Sequence, residues 1–217
     1  MDPKYAEIFN WLMALVLSLS IHEAAHALAA KVQGDPTAEN EGRLTLNPIA
    51  HIDLIGTIIL PVTMMLFSGG MFGWAKPVPV DTRNLRNQRW GYMLVALAGP
   101  MSNLVLCTLS VTVIALYVKF AGRPAENDLV MAFAQPMMHI NAILAVFNLI
   151  PVPPLDGGTI FSSFLPQKLR EAYQIYVYPY GMFILLALML SDSLRFITQL
   201  SSAYIGVNWY LISSIIT

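Results

Sequence analysis

The chain is poor in charge. Only 12% of its 217 residues are Asp, Glu, Lys or Arg, about half the roughly 25% usual in a soluble domain. A net charge of −1 provides no basic field for nucleic acid, and that class of partner is excluded. Cysteine is nearly absent. The single thiol, Cys107, lies in an apolar run, so no intramolecular disulfide framework exists and the residue reads as apolar filler. Internal repeats, low-complexity tracts and a polar stretch long enough for a separate soluble domain are also missing. No cleavable leader is expected, because the first apolar run, residues 8–30, has no small-residue cleavage site and carries a His pair.

What the chain has instead is apolar length. Hydrophobic residues make up 56% of it, arranged in runs over residues 8–30, 91–118, 129–149, 175–190 and 196–216. Runs of about 20 apolar residues match the bilayer core. The expected fold is an all-α polytopic membrane protein with about five transmembrane helices. The last run is diluted by Ser201, Ser202, Asn208, Ser213 and Ser214. A further apolar stretch, 54–67, is broken by Gly56 and Pro61 and reads either as a span or as a segment that dips in and returns. Residues 43–46 alternate in polarity, and 75–80 form an extended, proline-limited stretch, so short membrane-associated β-strands are expected at both.

The first run contains Ser20-Ile21-His22-Glu23-Ala24-Ala25-His26. On a helix, His22 and His26 lie four residues apart and project from one face. Two imidazoles so placed can hold one zinc ion, with Glu23 beside it as general base. A catalytic zinc takes a third protein ligand. His51, His139, Asp53 and Asp156 are the candidates, and Asp156 leads. It follows a Pro-Val-Pro-Pro stretch that no regular helix can traverse, and an unpaired carboxylate there would be costly. The competing reading makes Asp156 a helix cap with Gly157-Gly158 as a turn. His51 and Asp53 read mainly as loop-forming residues. His139 and Asn141 read as a water path or a helix–helix hydrogen bond, and Asn103 as packing or support for a ligand.

His22-Glu23-Ala24-Ala25-His26, Asn148-Leu149-Ile150-Pro151-Val152-Pro153-Pro154-Leu155-Asp156-Gly157-Gly158 and Gly99-Pro100-Met101-Ser102-Asn103 together resemble three recurring elements of the site-2 protease family, intramembrane zinc metalloproteases of peptidase family M50. The similarity runs from the first span to about residue 165 and is nearest the small subgroup without PDZ or CBS modules. The resemblance implies one membrane-embedded metalloprotease domain over residues 1–217, with its core at 8–165 and C-terminal helices at 174–217. It implies one Zn2+ per chain held by His22, His26 and Asp156, Glu23 as base and then proton donor, and Asn148 helping to hold the substrate carbonyl or oxyanion. The implied substrate is a transmembrane protein met within the lipid bilayer. Ala25 stands where the family often has glycine, and residues 51–74 are extra relative to the minimal core.

Three ligands must share one depth. That requires an even number of crossings between the end of the first run and Asp156, and makes 54–67 re-entrant. Lys31, Arg43, Lys76, Arg83, Arg86, Arg89, Lys168 and Arg170 then share one side, against Lys4, Lys119, Arg123 and Arg195. The excess of positive charge places the site nearer the cytoplasm of a multi-pass cell-membrane protein. Two rival functions remain: a metal transporter, and an inactive family relative acting as a membrane binding protein.

Overall fold

The computed structural model describes residues 3–67, 73–122, 124–125, 128–191 and 193–216. Helix α1 (Pro3–Val32) carries the His pair in its second half. A turn follows with Gly34 at φ 106°, then the one-turn α2 (Thr37–Asn40). The 54–67 stretch opens with a wide i→i+5 turn, Leu54–Ile59, capped by the Asp53 side chain, and continues as α3 (Leu60–Phe67). Helix α4 (Gln88–Ala121) begins at Asn87, whose side chain accepts from Arg89 N and Trp90 N. Helix α5 (Leu129–Asn148) is capped in the same way by Asp128, which accepts from Val130 N and Met131 N. These caps occupy N–H groups that the first turn leaves free. Then come α6 (Asp156–Phe164), α7 (Gln167–Tyr176), α8 (Gly181–Leu190) and α9 (Ser193–Ile216).

Helices α1, α4 and α5 pack on one another and form the frame. All three are long and apolar enough to cross a membrane. Their polarity is inverted relative to a soluble bundle. On α4, Leu94, Met101, Val105, Leu109, Val113 and Leu116 face outward, while Asn103 and Ser110 are buried. An apolar rim around a polar interior suits lipid as the outer solvent, and the chain is a membrane protein. Ala14, Leu15 and Leu19 of α1 meet Met137 and Ile140 of α5 to form one buried cluster.

Two expectations are corrected. No strand forms among the described residues. Residues 75–80 adopt no regular secondary structure, and Pro77 and Pro79 have no N–H to give a ladder. The stretch is linked to 43–46 by one side chain: Arg43 Nη2 donates to Lys76 O at 2.6 Å and to Pro77 O at 3.3 Å. Among the described residues three helices, not five, are long and apolar enough to be candidate spans. The expected span at 175–190 is cut by a 3-10 turn, Tyr178–Tyr180, at Pro179. This leaves α8 ten residues long, about 15 Å at ~1.5 Å per residue. Helix α9, with 24 residues, is long enough, but its serines and Asn208 keep it from the apolarity of the other three.

Residues 51–57 and 74–76 lie side by side. Trp74 N donates to Gly56 O at 3.1 Å, Thr57 Oγ1 to Trp74 O at 2.7 Å, and Lys76 N to His51 O at 2.9 Å. These bonds tie residue 74 to 56 and 57, and residue 76 to 51.

Candidate metal centre

His22 and His26 lie on the α1 face turned toward α4 and α6, and both are buried. Asp156 is the first residue of α6, so the helix begins with an acid in its favourable first turn. The loop before it is tightly wound: Val152 N donates to Ile150 O at 2.7 Å and Leu155 N to Val152 O at 3.0 Å. Gly157 is required there, since a Cβ would fall 2.2 Å from Ile150 O. Arg89, at the start of α4, holds the far end of α6 through Nε to Ser163 O (2.6 Å) and Nη2 to Leu165 O (2.9 Å).

Three acceptor groups converge. His22 Nε2 lies 3.0 Å from His26 Nε2, 3.3 Å separates His22 Nε2 from Asp156 Oδ2, and 3.4 Å separates His26 Nε2 from Asp156 Oδ1. The opposite ring nitrogens are engaged. His26 Nδ1 lies 2.7 Å from Val95 O, a carbonyl that can only accept, so Nδ1 carries the proton. His22 Nδ1 lies 2.6 Å from Asn103 Oδ1. Asn103 Nδ2 donates to Asn141 Oδ1 at 2.7 Å, and Asn141 Nδ2 donates to Met137 O and Ser18 Oγ, both at 2.8 Å. Ser18, Asn103 and Asn141 are fully buried.

With both Nδ1 atoms protonated and the imidazoles neutral, two Nε2 lone pairs and a carboxylate point into one space. Asp156 Oδ2 has no hydrogen-bond donor. Such a set calls for a cation. Tetrahedral zinc with bonds of ~2.0–2.1 Å would separate its ligands by about 3.3–3.4 Å, close to the distances found. The donor set therefore fits zinc. Among the described residues this is the one group of His, Cys, Asp and Glu arranged to hold a metal.

Gly99 explains the third recurring element. A Cβ there would fall 2.4 Å from His26 Nε2 and 2.5 Å from His22 Cε1. The absent side chain lets α4 lie against the histidine pair and brings Asn103, one turn on, to His22.

Glu23 is buried beside the pair, and its Oε2 accepts from Val78 N at 2.9 Å. Asn148 is not brought to the cluster; its Nδ2 donates to Leu144 O of its own helix at 3.0 Å. His51 and Asp53 structure the loop: His51 Nε2 pairs with Thr45 O at 2.9 Å, and Asp53 caps Gly56 N at 2.7 Å. Asn141 is the helix–helix bridge described above, and His139 lies on an exposed face near the Trp11 ring, 6.4 Å between centroids. Val95 O went unseen in the sequence because a backbone group carries no side-chain signal.

Three long outward-apolar helices around a buried His-His-Asp cluster define a membrane protein with a candidate metal centre. The sequence profile of peptidase family M50 matches residues 117–188, which include Asp156 but not the His pair. YwhC of Bacillus subtilis, which carries a provisional zinc-metalloprotease name, is 37% identical over 181 residues, covering 82% of this chain and 79% of its own. Rip2 of Mycolicibacterium smegmatis, named in the same provisional way, is 30% identical over 213 residues, covering 95% and 76%. The chain belongs to peptidase family M50, the site-2 type of zinc metalloprotease. No solved structure matches it significantly.

Proposed function

We propose that this protein is an intramembrane zinc metalloendopeptidase that hydrolyses peptide bonds within or near the transmembrane segments of other membrane proteins. The observation that carries the reading is the convergence of His22 Nε2, His26 Nε2 and the Asp156 carboxylate beside Glu23. His22, His26 and Asp156 would hold one zinc. A bound zinc would acidify its water and polarise the scissile carbonyl. The ligand set of two neutral imidazoles and one carboxylate leaves a divalent ion with net positive charge.

Glu23 acts as general base toward the attacking water and returns the proton to the leaving amine. Asn148 would turn its amide from Leu144 O to donate to the developing oxyanion. The substrate helix must unwind locally, since its peptide groups are otherwise bonded internally. The protein is multi-pass in the cell membrane. Its site lies toward the cytoplasm, on the side where Lys31, Arg43, Lys76 and the arginines of 83–89 collect.

Zinc content of the detergent-purified protein, together with cleavage of a model transmembrane helix, tests this. Wild type and Glu23→Gln should each carry one zinc per chain, Asp156→Ala should lose it, and only wild type should cleave. Wild type without zinc would favour the inactive relative. Zinc flux into liposomes that persists in Glu23→Gln would favour the transporter, which has no use for a base.

A further inference from the structure

We propose that the backbone N–H of Val78 is a positioning group for the catalytic carboxylate: residues 74–81 form a fixed strap that orients Glu23, not a lid that opens from it. This rests on the reading of Glu23 as general base and adds what holds it.

A glutamate side chain has three rotatable bonds and keeps one orientation only if something fixes it. In this site Oε2 accepts from Val78 N at 2.9 Å, while Oε1 has no partner among the described residues. One oxygen is held and the other is left for the water. The local sequence Lys76-Pro77-Val78-Pro79 suits the task. Each residue before a proline is confined to extended backbone, and neither proline has an N–H. Val78 therefore carries the single donor in 77–79, on a backbone that cannot coil away.

The strap is anchored on both sides of Val78, mostly by buried residues. Upstream, Thr57 donates to Trp74 O, Arg43 to Lys76 O, and Lys76 N to His51 O. Downstream, Asp81 N donates to Asp35 Oδ2 at 2.8 Å and Arg86 N to Gln33 O at 2.8 Å. Arg43, His51, Thr57 and Asp35 are all buried. Lifting the strap would cost each of these buried residues a hydrogen bond, which is costly where water cannot replace it. A lid is tied by few, exposed bonds, and this segment is tied by several, three of them part-buried and made to the buried side chains of Thr57, Arg43 and Asp35.

Two measurements on the full chain in detergent decide it. The first is hydrogen exchange of the Val78 amide, which does not depend on catalysis. Exchange should be slow in wild type and about tenfold or more faster in Glu23→Ala; equal rates would overturn the proposal. The second is kinetic, on a model transmembrane substrate. Val78→Pro, which deletes the N–H within an already proline-bounded stretch, should lower kcat about tenfold to a hundredfold, with KM and zinc content little changed. Val78→Ala keeps the N–H and should fall far less. An unchanged kcat in Val78→Pro would overturn the positioning role, and a raised kcat would mean a lid. If Val78→Pro fails to fold, the exchange measurement still decides. Activity surviving in Glu23→Gln would sink the general-base reading instead, and the exchange result separates that failure from this one.

Discussion

The backbone carbonyl of Met137 decides which ring nitrogen of His22 carries the proton, although it does not touch the ring. A carbonyl can only accept, so the Asn141 atom against it, 2.8 Å away, is Nδ2. Asn141 Oδ1 then faces Asn103 Nδ2, and Asn103 Oδ1 faces His22 Nδ1. Each amide passes the order along, and the His22 lone pair is left at Nε2. This chain crosses all three framing helices, from α5 through α4 to α1, so their packing and the chemistry of the ligand are set by the same bonds.

Breaking the chain should weaken metal binding without removing a ligand. Asn103→Leu leaves His22 Nδ1–H unpaired in a buried site and frees the ring to turn. Zinc affinity, measured by competition with a chelator, should fall about tenfold to a hundredfold. Asn103→Asp can still accept from Nδ1 and should lose less. Equal affinity in Asn103→Leu and wild type would show that the order of donors does not matter.

Gly99→Ala should be far more damaging than its single methyl suggests. The methyl would stand 2.4 Å from His26 Nε2, inside the space where three acceptors meet. Either α4 moves away, taking Asn103 and Val95 O with it, or the ligand rings rotate. Zinc per chain should drop well below one. Gly91→Ala, whose Cβ would lie 3.3 Å from Leu85 Cβ, should keep its zinc. Metal analysis of the two variants side by side checks this.

The metal cluster was legible in the sequence because each part leaves a side-chain mark. Spacing of four put His22 and His26 on one face, and Asp156 stood out as an acid after a run of prolines. Asn103 was visible as a polar residue in an apolar helix, though its order of bonds was not. The strap was misread for a definite reason. A strand is expected at 75–80, but none forms among the described residues, and the partners of the stretch are the Glu23 carboxylate and Arg43. The break at Tyr178–Tyr180 was missed because hydropathy alone carries across Pro179, whereas helix geometry does not. Asn148 was named from resemblance, and its side chain bonds back to Leu144 O.

The bonds that tie residues 56 and 57 to residue 74 predict that 54–67 re-enters the membrane instead of crossing it. Glu41, Arg86 and Lys168 are exposed and should lie on one side of the membrane, and Ala125 on the other. Single cysteines at these positions, probed with an impermeant thiol reagent on intact cells and inverted vesicles, report it directly. The natural Cys107 is buried and should add little background. Labelling of Glu41→Cys and Arg86→Cys from opposite faces would mean that 54–67 crosses, and would separate the strap from its anchors.

Asp35 gives the strap a dependence on pH. It lies in the turn after α1 and is fully buried. Burial pushes its carboxyl up, but Thr37 through side chain and backbone, Asn84 Nδ2 and Asp81 N all donate to it, and the balance holds it below the ordinary carboxylate value. A group depressed in the folded state stabilises that state above its unfolded pKa, near 4 for Asp. That contribution is lost as pH falls below about 4. Thermal stability in detergent should therefore decline through that window, and less steeply in Asp35→Asn, which has already lost the charge. At pH 7, Asp35→Ala strands several donors and should cost about 3 kcal/mol. Because Asp81 N is one of those donors, Asp35→Ala should also loosen the strap and speed Val78 amide exchange while zinc content holds. Unchanged exchange at Val78 in Asp35→Ala would mean that the upstream anchors alone keep the strap in place.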